Sequence, residues 1–304
     1  MKLSIIGAGG SVGGPAAFYA GVQRLVDEIV LLDVRQNVAE QHAIDLGTAV
    51  SALGVKVKAG TYEDLAGSDV VMNTAGMPQG LIADRMEMLT KNLPLVSDIA
   101  LQIKRYCPEA FVITATNPID PLNYATWRVG GFDRRKVVGY SVNDSTRFRE
   151  MVARKKNVEV GRVQATVMGE HGSTQVYLFS SVRIDGEPVS FSEDEKTAIR
   201  SEIPNILKRL EELQAGRTAG WTSAIGLAAV TRAVLQDTGE VMPCSVVLDG
   251  EYGRHDLSMS VPVRLGKEGV REIQEWELTP DEQAGLERSA NAMAAAAKTV
   301  RENL

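Results

Sequence analysis

The sequence predicts an α/β fold, with a doubly wound parallel sheet in the first half and an α+β arrangement in the second. Three observations carry this expectation. Through about residue 143, short apolar runs alternate with helix-like segments, the rhythm of strand–helix–strand units. A glycine-rich stretch, GAGGSVGG, lies between the first apolar run and the first helical segment. Beyond about residue 145 the apolar runs lengthen and alternate with polar residues, as strands covered on one face do.

In order, LSII, IVLLDV, VKVKA, DVVMNT, FVITAT and KVVGY are the strand candidates of the first half. Between them, 12–24 and 86–106 carry the Ala, Leu, Met and polar residues of covering helices. In the second half VQATVM, VYLFSSVRI, PCSVVL and LSMSVPVRL read as strands, and helices are expected near 192–214 and 221–236. A final helix should start at Pro280, because Thr279 can cap it and Glu282 falls where it can reach back to the cap. It should run nearly to residue 304. These elements divide the chain into residues 1–143 and 144–304, with no low-complexity linker between them.

At 304 residues the chain is long enough to bury a large core, and 44% hydrophobic with 24% charged residues is the balance of a globular protein. No apolar run approaches the roughly 20 residues of a membrane helix, so no membrane partner is expected. The opening MKLSIIGAGG reads as a buried strand, its apolar run too short for a secretory segment. Cys107 and Cys244 are the only cysteines and lack metal-ligand spacing, which predicts no disulfide framework, no metal site and a cytoplasmic location. A net charge of −6 disfavours nucleic acid as a partner.

The glycine stretch follows a strand and opens a helix, the context in which such a loop binds phosphate through backbone N–H groups and the helix dipole. Gly7, Gly10 and Gly13 are spaced G-x-x-G-x-x-G; the commoner G-x-G-x-x-G would need glycine at Val12. Asp33 closes the second strand twenty residues after Gly13, where an acid accepts hydrogen bonds from the adenosine ribose hydroxyls and repels a 2′-phosphate. Together these predict a Rossmann-type sheet that binds NAD, with Gly7, Gly10, Ser11, Val12, Gly13 and Asp33 at the cofactor.

One of only three histidines stands in VMGEHGSTQV, between Gly and Gly with apolar residues beyond. A polar turn between strands would explain it, as would a proton-exchanging His171 beside a small ligand. Two more segments, TATNPID at 114–120 and GYSVNDSTRFR at 139–149, belong at the carboxyl edge of the sheet. Asn117 can offer an amide there, or simply form a turn before Pro118. Asp144 and Arg147 lie three apart, so a helix projects them toward one side, although such pairs are also ordinary on helix surfaces. His42, His255 and Trp221 are read as surface or packing residues, Trp221 as core.

The chain resembles the lactate/malate dehydrogenase family over essentially its whole length. GAGGSVG, LLD, TAG at 74–76, TNP at 116–118, DSTRFR at 144–149 and GEHG at 169–172 carry the resemblance. The run including DTGEV and VPVRLGKEGV is most similar to archaeal and halophilic-type malate dehydrogenases that look like lactate dehydrogenases. The resemblance implies that His171 is the proton acceptor, Asp144 its orienting partner, Arg147 the carboxylate clamp and Arg85 the loop arginine that polarises the reacting carbonyl. It also implies that Ala75, Gly76, Asn92, Ala115, Thr116 and Asn117 touch the cofactor. The glycines of GEHG are then read as leaving room for substrate and nicotinamide beside the imidazole.

Two departures from the family pattern stand out, one next to GEHG that bears on how basic His171 is, the other in a loop that bears on substrate choice. Ser173 stands where the family usually has Asp. Gln79 occupies the loop position at which malate dehydrogenases carry arginine and lactate dehydrogenases usually glutamine, while Leu81 and Ile82 replace a common Pro-Gly. The expected reaction is reversible NAD-dependent oxidation of a small L-2-hydroxy acid, a neutral side chain being favoured by Gln79. Malate dehydrogenase proper is the alternative. Of other classes, an NAD-dependent glycosidase would need a Cys/His metal site, and a catalytically silent NAD-binding module would not need Asp144, Arg147 and His171 together. The resemblance further implies a homodimer or homotetramer.

Overall fold

All six apolar runs of the first half form strands in the computed structural model, which describes residues 1–77, 85–214 and 220–304. In chain order the elements are β1 (Lys2–Ile6), α1 (Gly13–Val22), β2 (Glu28–Leu32), α2 (Gln36–Val50), β3 (Lys56–Ala59), β4 (Val70–Asn73), α3 (Arg85–Tyr106), β5 (Phe111–Thr114), α4 (Ile119–Gly130) and β6 (Val137–Tyr140). There follow α5 (Val142–Lys156), five two-residue strands, β7 (Val163–Gln164), β8 (Val167–Met168), β9 (Val176–Tyr177), β10 (Arg183–Ile184) and β11 (Glu187–Pro188), then α6 (Glu193–Glu212) and α7 (Gly220–Leu235). The chain ends with β12 (Val241–Asp249), β13 (His255–Gly266), β14 (Gly269–Ile273) and α8 (Pro280–Glu302).

The first six strands are parallel neighbours in the order β3-β2-β1-β4-β5-β6, the doubly wound arrangement. Helices cover both faces of such a sheet, so β4, β5 and β6 are buried at every residue. Only β3, at the edge, exposes Lys56 and Lys58, charges that block further strand pairing.

The second half departs from the expected alternation. VQATVM and VYLFSSVRI break into the two-residue strands β7 to β10, while β12 pairs antiparallel with β6 and continues the same sheet through β13 and β14. With α4, α5, α7 and α8 packed on them, β12 and β13 are buried almost continuously rather than on alternate residues. One apolar core accordingly runs from Leu3 and Ile5 to Val261 and Val263. A separate aromatic cluster, Phe148 with Tyr177 and Phe179, fills the space between α5 and the short strands.

Helix α8 starts as expected: Thr279 Oγ1 accepts from Glu282 N–H at 3.4 Å and the Glu282 carboxylate accepts from Thr279 N–H at 3.0 Å. Trp221 corrects the expectation of a core residue, being 65% exposed. It is the second residue of α7, and Ile225 one turn on is also exposed, while Ala224, Leu227 and Ala228 form the buried face.

Candidate functional site

Parallel register brings the cofactor-side loops together. Ile6 is the cross-strand partner of both Leu32 and Asn73, and Asn73 of Thr114, so β1, β2, β4 and β5 end level. The segments that follow them, Gly7–Gly13, Asp33, Thr74–Gly76 and Ala115–Asn117, therefore emerge side by side at the carboxyl edge. Gly7 has φ +83°, and a Cβ there would lie 2.6 Å from Ala75 N; a Cβ on Gly13 would lie 2.5 Å from Gly7 O. Glycine is thus required where the loop turns and where α1 meets the strand ends. Val12 is the N-cap residue of α1, and the start of α7 abuts the Ser11 carbonyl, whose oxygen would lie 1.6 Å from a Cβ on Gly220.

Sequence reasoning missed Gly9. Its N–H donates to Asp33 Oδ2 at 2.8 Å, and Asp33 Oδ1 accepts from Arg35 N–H at 3.0 Å and Arg35 Nε at 3.3 Å. Arg35 reaches back to the Gly9 carbonyl with Nη2, at 3.0 Å. Gly10 N–H closes the turn on Gly7 O at 3.0 Å. Across the strand ends, Thr116 Oγ1 donates to Ala75 O at 2.5 Å, and Ala115 N–H to Asn73 O at 2.8 Å. Asn92, on α3, receives the Met77 N–H and donates to the Asn117 carbonyl, both at 2.8 Å. Gly76 lies against both, a Cβ there falling 3.3 Å from Thr116 and 3.7 Å from Asn92. A turn of glycines at a helix N-terminus, bounded by a carboxylate held at 7% exposure, fits a dinucleotide.

The second group centres on Asp144, in the first turn of α5 where the helix dipole favours negative charge. Asp144 Oδ2 lies 2.5 Å from His171 Nδ1, and Oδ1 accepts from Arg147 Nη1 at 3.2 Å. All three side chains are mostly buried, at 8%, 16% and 14% exposure for Asp144, His171 and Arg147. Because a carboxylate only accepts, the bond makes Nδ1–H the donor, so that any proton the ring takes up goes to Nε2. Burial first, and then the Asp144 charge, push the hydroxyls of Tyr140 and Tyr177 up, so both phenols stay neutral around the carboxylate.

The loop bearing His171 is pinned from three directions. Gly169 pairs with Ser260 of β13, Glu170 N–H donates to Ser289 Oγ on α8 at 2.5 Å, and His171 N–H donates to Asp120 Oδ2 at 2.7 Å. Gly169 has φ +87°, and a Cβ there would lie 2.6 Å from Ser289 Oγ. This glycine is required by the turn and by α8, which differs from the expectation that it leaves room for substrate. Ser173 is exposed, and the Glu170 carboxylate instead takes the N–H and hydroxyl of Thr174, at 3.0 and 2.6 Å. Asp120 and its partner Ser245, also missed, come from α4 and β12. Gln79 lies outside the described residues, and Arg85 is described only as the first residue of α3.

Comparison with known proteins agrees with this geometry. Residues 1–139 match the model of the lactate/malate dehydrogenase NAD-binding domain, and 143–304 that of the lactate/malate dehydrogenase alpha/beta C-terminal domain. The malate dehydrogenase of Halobacterium salinarum is 39% identical over 299 residues, covering 97% of each chain. That of Natronomonas pharaonis is 38% identical over 300 residues, covering 96% of this chain and 97% of its own. Among solved structures, the lactate dehydrogenase of Cryptosporidium parvum complexed with lactic acid and nicotinamide adenine dinucleotide superposes with a TM-score of 0.93 at 33% identity, covering 99% of this chain and 98% of its own. The malate dehydrogenase of the same organism gives 0.94 at 32% identity, covering 99% of both. With its glycine cradle, its Asp144–His171 pair and both family models matched, the chain belongs to the lactate/malate dehydrogenase family and is an NAD-dependent dehydrogenase of 2-hydroxy acids.

Proposed function

We propose that the chain interconverts small L-2-hydroxy acids and 2-oxo acids with His171 as proton acceptor, Asp144 as its orienting partner, Arg147 as the carboxylate clamp and Arg85 as the polarising arginine. The observation that carries this reading is the Asp144 carboxylate shared between His171 Nδ1 and Arg147 Nη1. Bound NAD supplies the hydride acceptor. As the substrate C–H bond breaks, His171 Nε2 takes the hydroxyl proton, and Asp144 stabilises the resulting imidazolium. The donors of Arg147 that Asp144 does not use suit the two oxygens of a carboxylate. Gly7, Gly10, Ser11, Val12, Gly13 and Asp33 serve the adenosine diphosphate side. Ala75, Gly76, Asn92, Ala115, Thr116 and Asn117 serve the nicotinamide side. Residues 1–143 thus hold cofactor, and 144–304 carry most of the substrate chemistry.

For the substrate, a neutral side chain is favoured, because residues 77–84, MPQGLIAD, contain no cation to meet a second carboxylate. The malate reading is favoured by the names of the halophilic relatives. Steady-state kcat/KM for pyruvate, 2-oxoisocaproate and oxaloacetate decides between them; preference for oxaloacetate makes the chain a malate dehydrogenase. A homodimer or homotetramer is supported by exposed apolar residues on packed helices, Phe18 and Val22 on α1 with Trp221 and Ile225 on α7. A cytoplasmic location is supported by two buried, unbridged cysteines, and no described helix is long and apolar enough to cross a membrane.

A further inference from the structure

His171 is held by two carboxylates that reach it from different elements. Asp144 meets its ring, and Asp120, the second residue of α4, meets its main chain. Asp120 is 1% exposed; Oδ2 accepts the His171 N–H at 2.7 Å and Oδ1 accepts the Ser245 hydroxyl at 2.6 Å. Ser245 is itself fixed by Ser258 Oγ at 2.9 Å, and Asn123 Nδ2 donates to Ser258 Oγ and the Ser245 carbonyl at 3.0 and 3.1 Å. Asp120 is thus embedded in a buried polar network on α4, β12 and β13 that ends at the proton-transfer loop.

Burying a carboxylate is costly, and two neutral hydrogen bonds could equally be made by asparagine. We infer that Asp120 is a positioning residue for proton transfer, whose charge holds the His171 main chain and, together with Asp144, favours the imidazolium over the neutral ring. This rests on His171 being the proton acceptor. Burial and several neighbouring groups act on the Asp120 charge. Burial pushes its carboxyl up to about 6, while the Ser245 hydroxyl, the His171 N–H and the His171 charge oppose the rise and the Glu170 carboxylate adds to it. The two donors on its oxygens and its place in the first turn of α4 favour the ionised form against the cost of burial. Ser245, Ser258 and Asn123 contribute hydrogen bonds but no charge, so the charged groups bearing on Asp120 come from the His171 loop.

Asp120→Asn separates charge from packing. The amide oxygen can still accept the His171 N–H, and the amide nitrogen can donate to Ser245 Oγ, whose hydroxyl can turn. Reduction of a 2-oxo acid needs protonated His171, so its rate falls above the histidine pKa. With pyruvate or oxaloacetate, whichever wild type reduces faster, Asp120→Asn should lower kcat about 10-fold and move the basic limb of the pH profile about one unit lower. NADH binding, followed by fluorescence, should stay within about 2-fold. Wild-type kcat and basic limb in a variant that binds NADH normally would overturn the inference. Should Asp120→Asn not fold, Ser245→Ala decides: with one donor removed, the carboxylate is ionised less fully, and the basic limb should move in the same direction by a smaller step. An unmoved limb there overturns it as well. His171→Asn is the control; if it keeps its turnover, the proton-acceptor reading fails and this inference with it, whereas inactivity of His171→Asn beside wild-type behaviour of Asp120→Asn removes this inference alone.

Discussion

Asp33 accepts the Gly9 N–H at 2.8 Å, so the acid that follows β2 also holds the glycine loop above β1. With the proposed role of Asp33 at the adenosine ribose, loop shape and cofactor choice are coupled through one carboxylate. Asp33→Ser should relieve repulsion of a 2′-phosphate while loosening the loop. The ratio of kcat/KM for NAD over NADP should fall about 10-fold or more, and the KM for NAD should rise. Initial-rate kinetics with both cofactors measure this, and an unchanged ratio would contradict the role given to Asp33.

Replacing His171 by Asn removes the proposed proton acceptor without touching the glycine loop. Turnover should drop about 10²- to 10⁴-fold with NADH affinity nearly unchanged. Calorimetric NADH binding beside steady-state kinetics separates the two effects. Retention of most turnover would exclude His171 from proton transfer.

Gln79→Arg restores a cation to the stretch 77–84, which has none. A charge-assisted hydrogen bond contributes about 1.5–3 kcal/mol, so kcat/KM for oxaloacetate should rise on the order of 10- to 100-fold relative to pyruvate. If wild type already prefers oxaloacetate and the substitution adds nothing, another group recognises the second carboxylate.

Glu282 joins α8 to the Phe179–Ser181 turn. Its carboxylate accepts the Ser180 N–H at 3.0 Å and hydroxyl at 2.7 Å, in addition to the Thr279 cap. Burial raises its carboxyl, but these bonds outweigh burial and hold it below the usual range. A depressed folded-state pKa contributes stability that is present above the unfolded pKa and disappears as pH falls through the folded one. Glu282→Gln should therefore lose on the order of 1–2 kcal/mol at pH 7, with the deficit shrinking below about pH 4. Denaturant unfolding at both pH values measures it; an equal deficit at each would assign the effect to packing.

Phe18→Glu combined with Ile225→Glu places charge on the exposed faces of α1 and α7. If those faces meet another copy, sedimentation should show a lower mass at equal concentration, with the fold retained by circular dichroism. An unchanged mass would put any association surface elsewhere.

The parts of the site that were legible in the sequence are those made by local pattern. Each of the six apolar runs is a local pattern in itself, the glycine turn and Asp33 belong to the first strand–helix–strand unit, β1–α1–β2, and Asp144 and Arg147 lie within one helical turn. Asp120 and Ser245 were not legible, because their bond joins residues 125 positions apart and depends on β12 adding to β6. The only local signal for Asp120 was an acid in a first helical turn, which ordinary capping explains equally well. Burial of β12 and β13 was missed for a related reason: alternation reports a strand with one covered face, and helices packed on both faces erase the pattern.

The ladder between β6 and β12, through Tyr140 with Cys244 and Gly139 with Ser245, joins the six parallel strands to β12, β13 and β14 in one sheet. A fragment ending at residue 143 would strip the partner from β6 and turn Val137–Tyr140, buried along its length, into a bare apolar edge. Expressed alone, the cofactor-holding half should form intermolecular strand pairs and aggregate instead of yielding a portable nucleotide-binding unit. A chimaera that exchanges one half would have to supply a strand edge that pairs with β6.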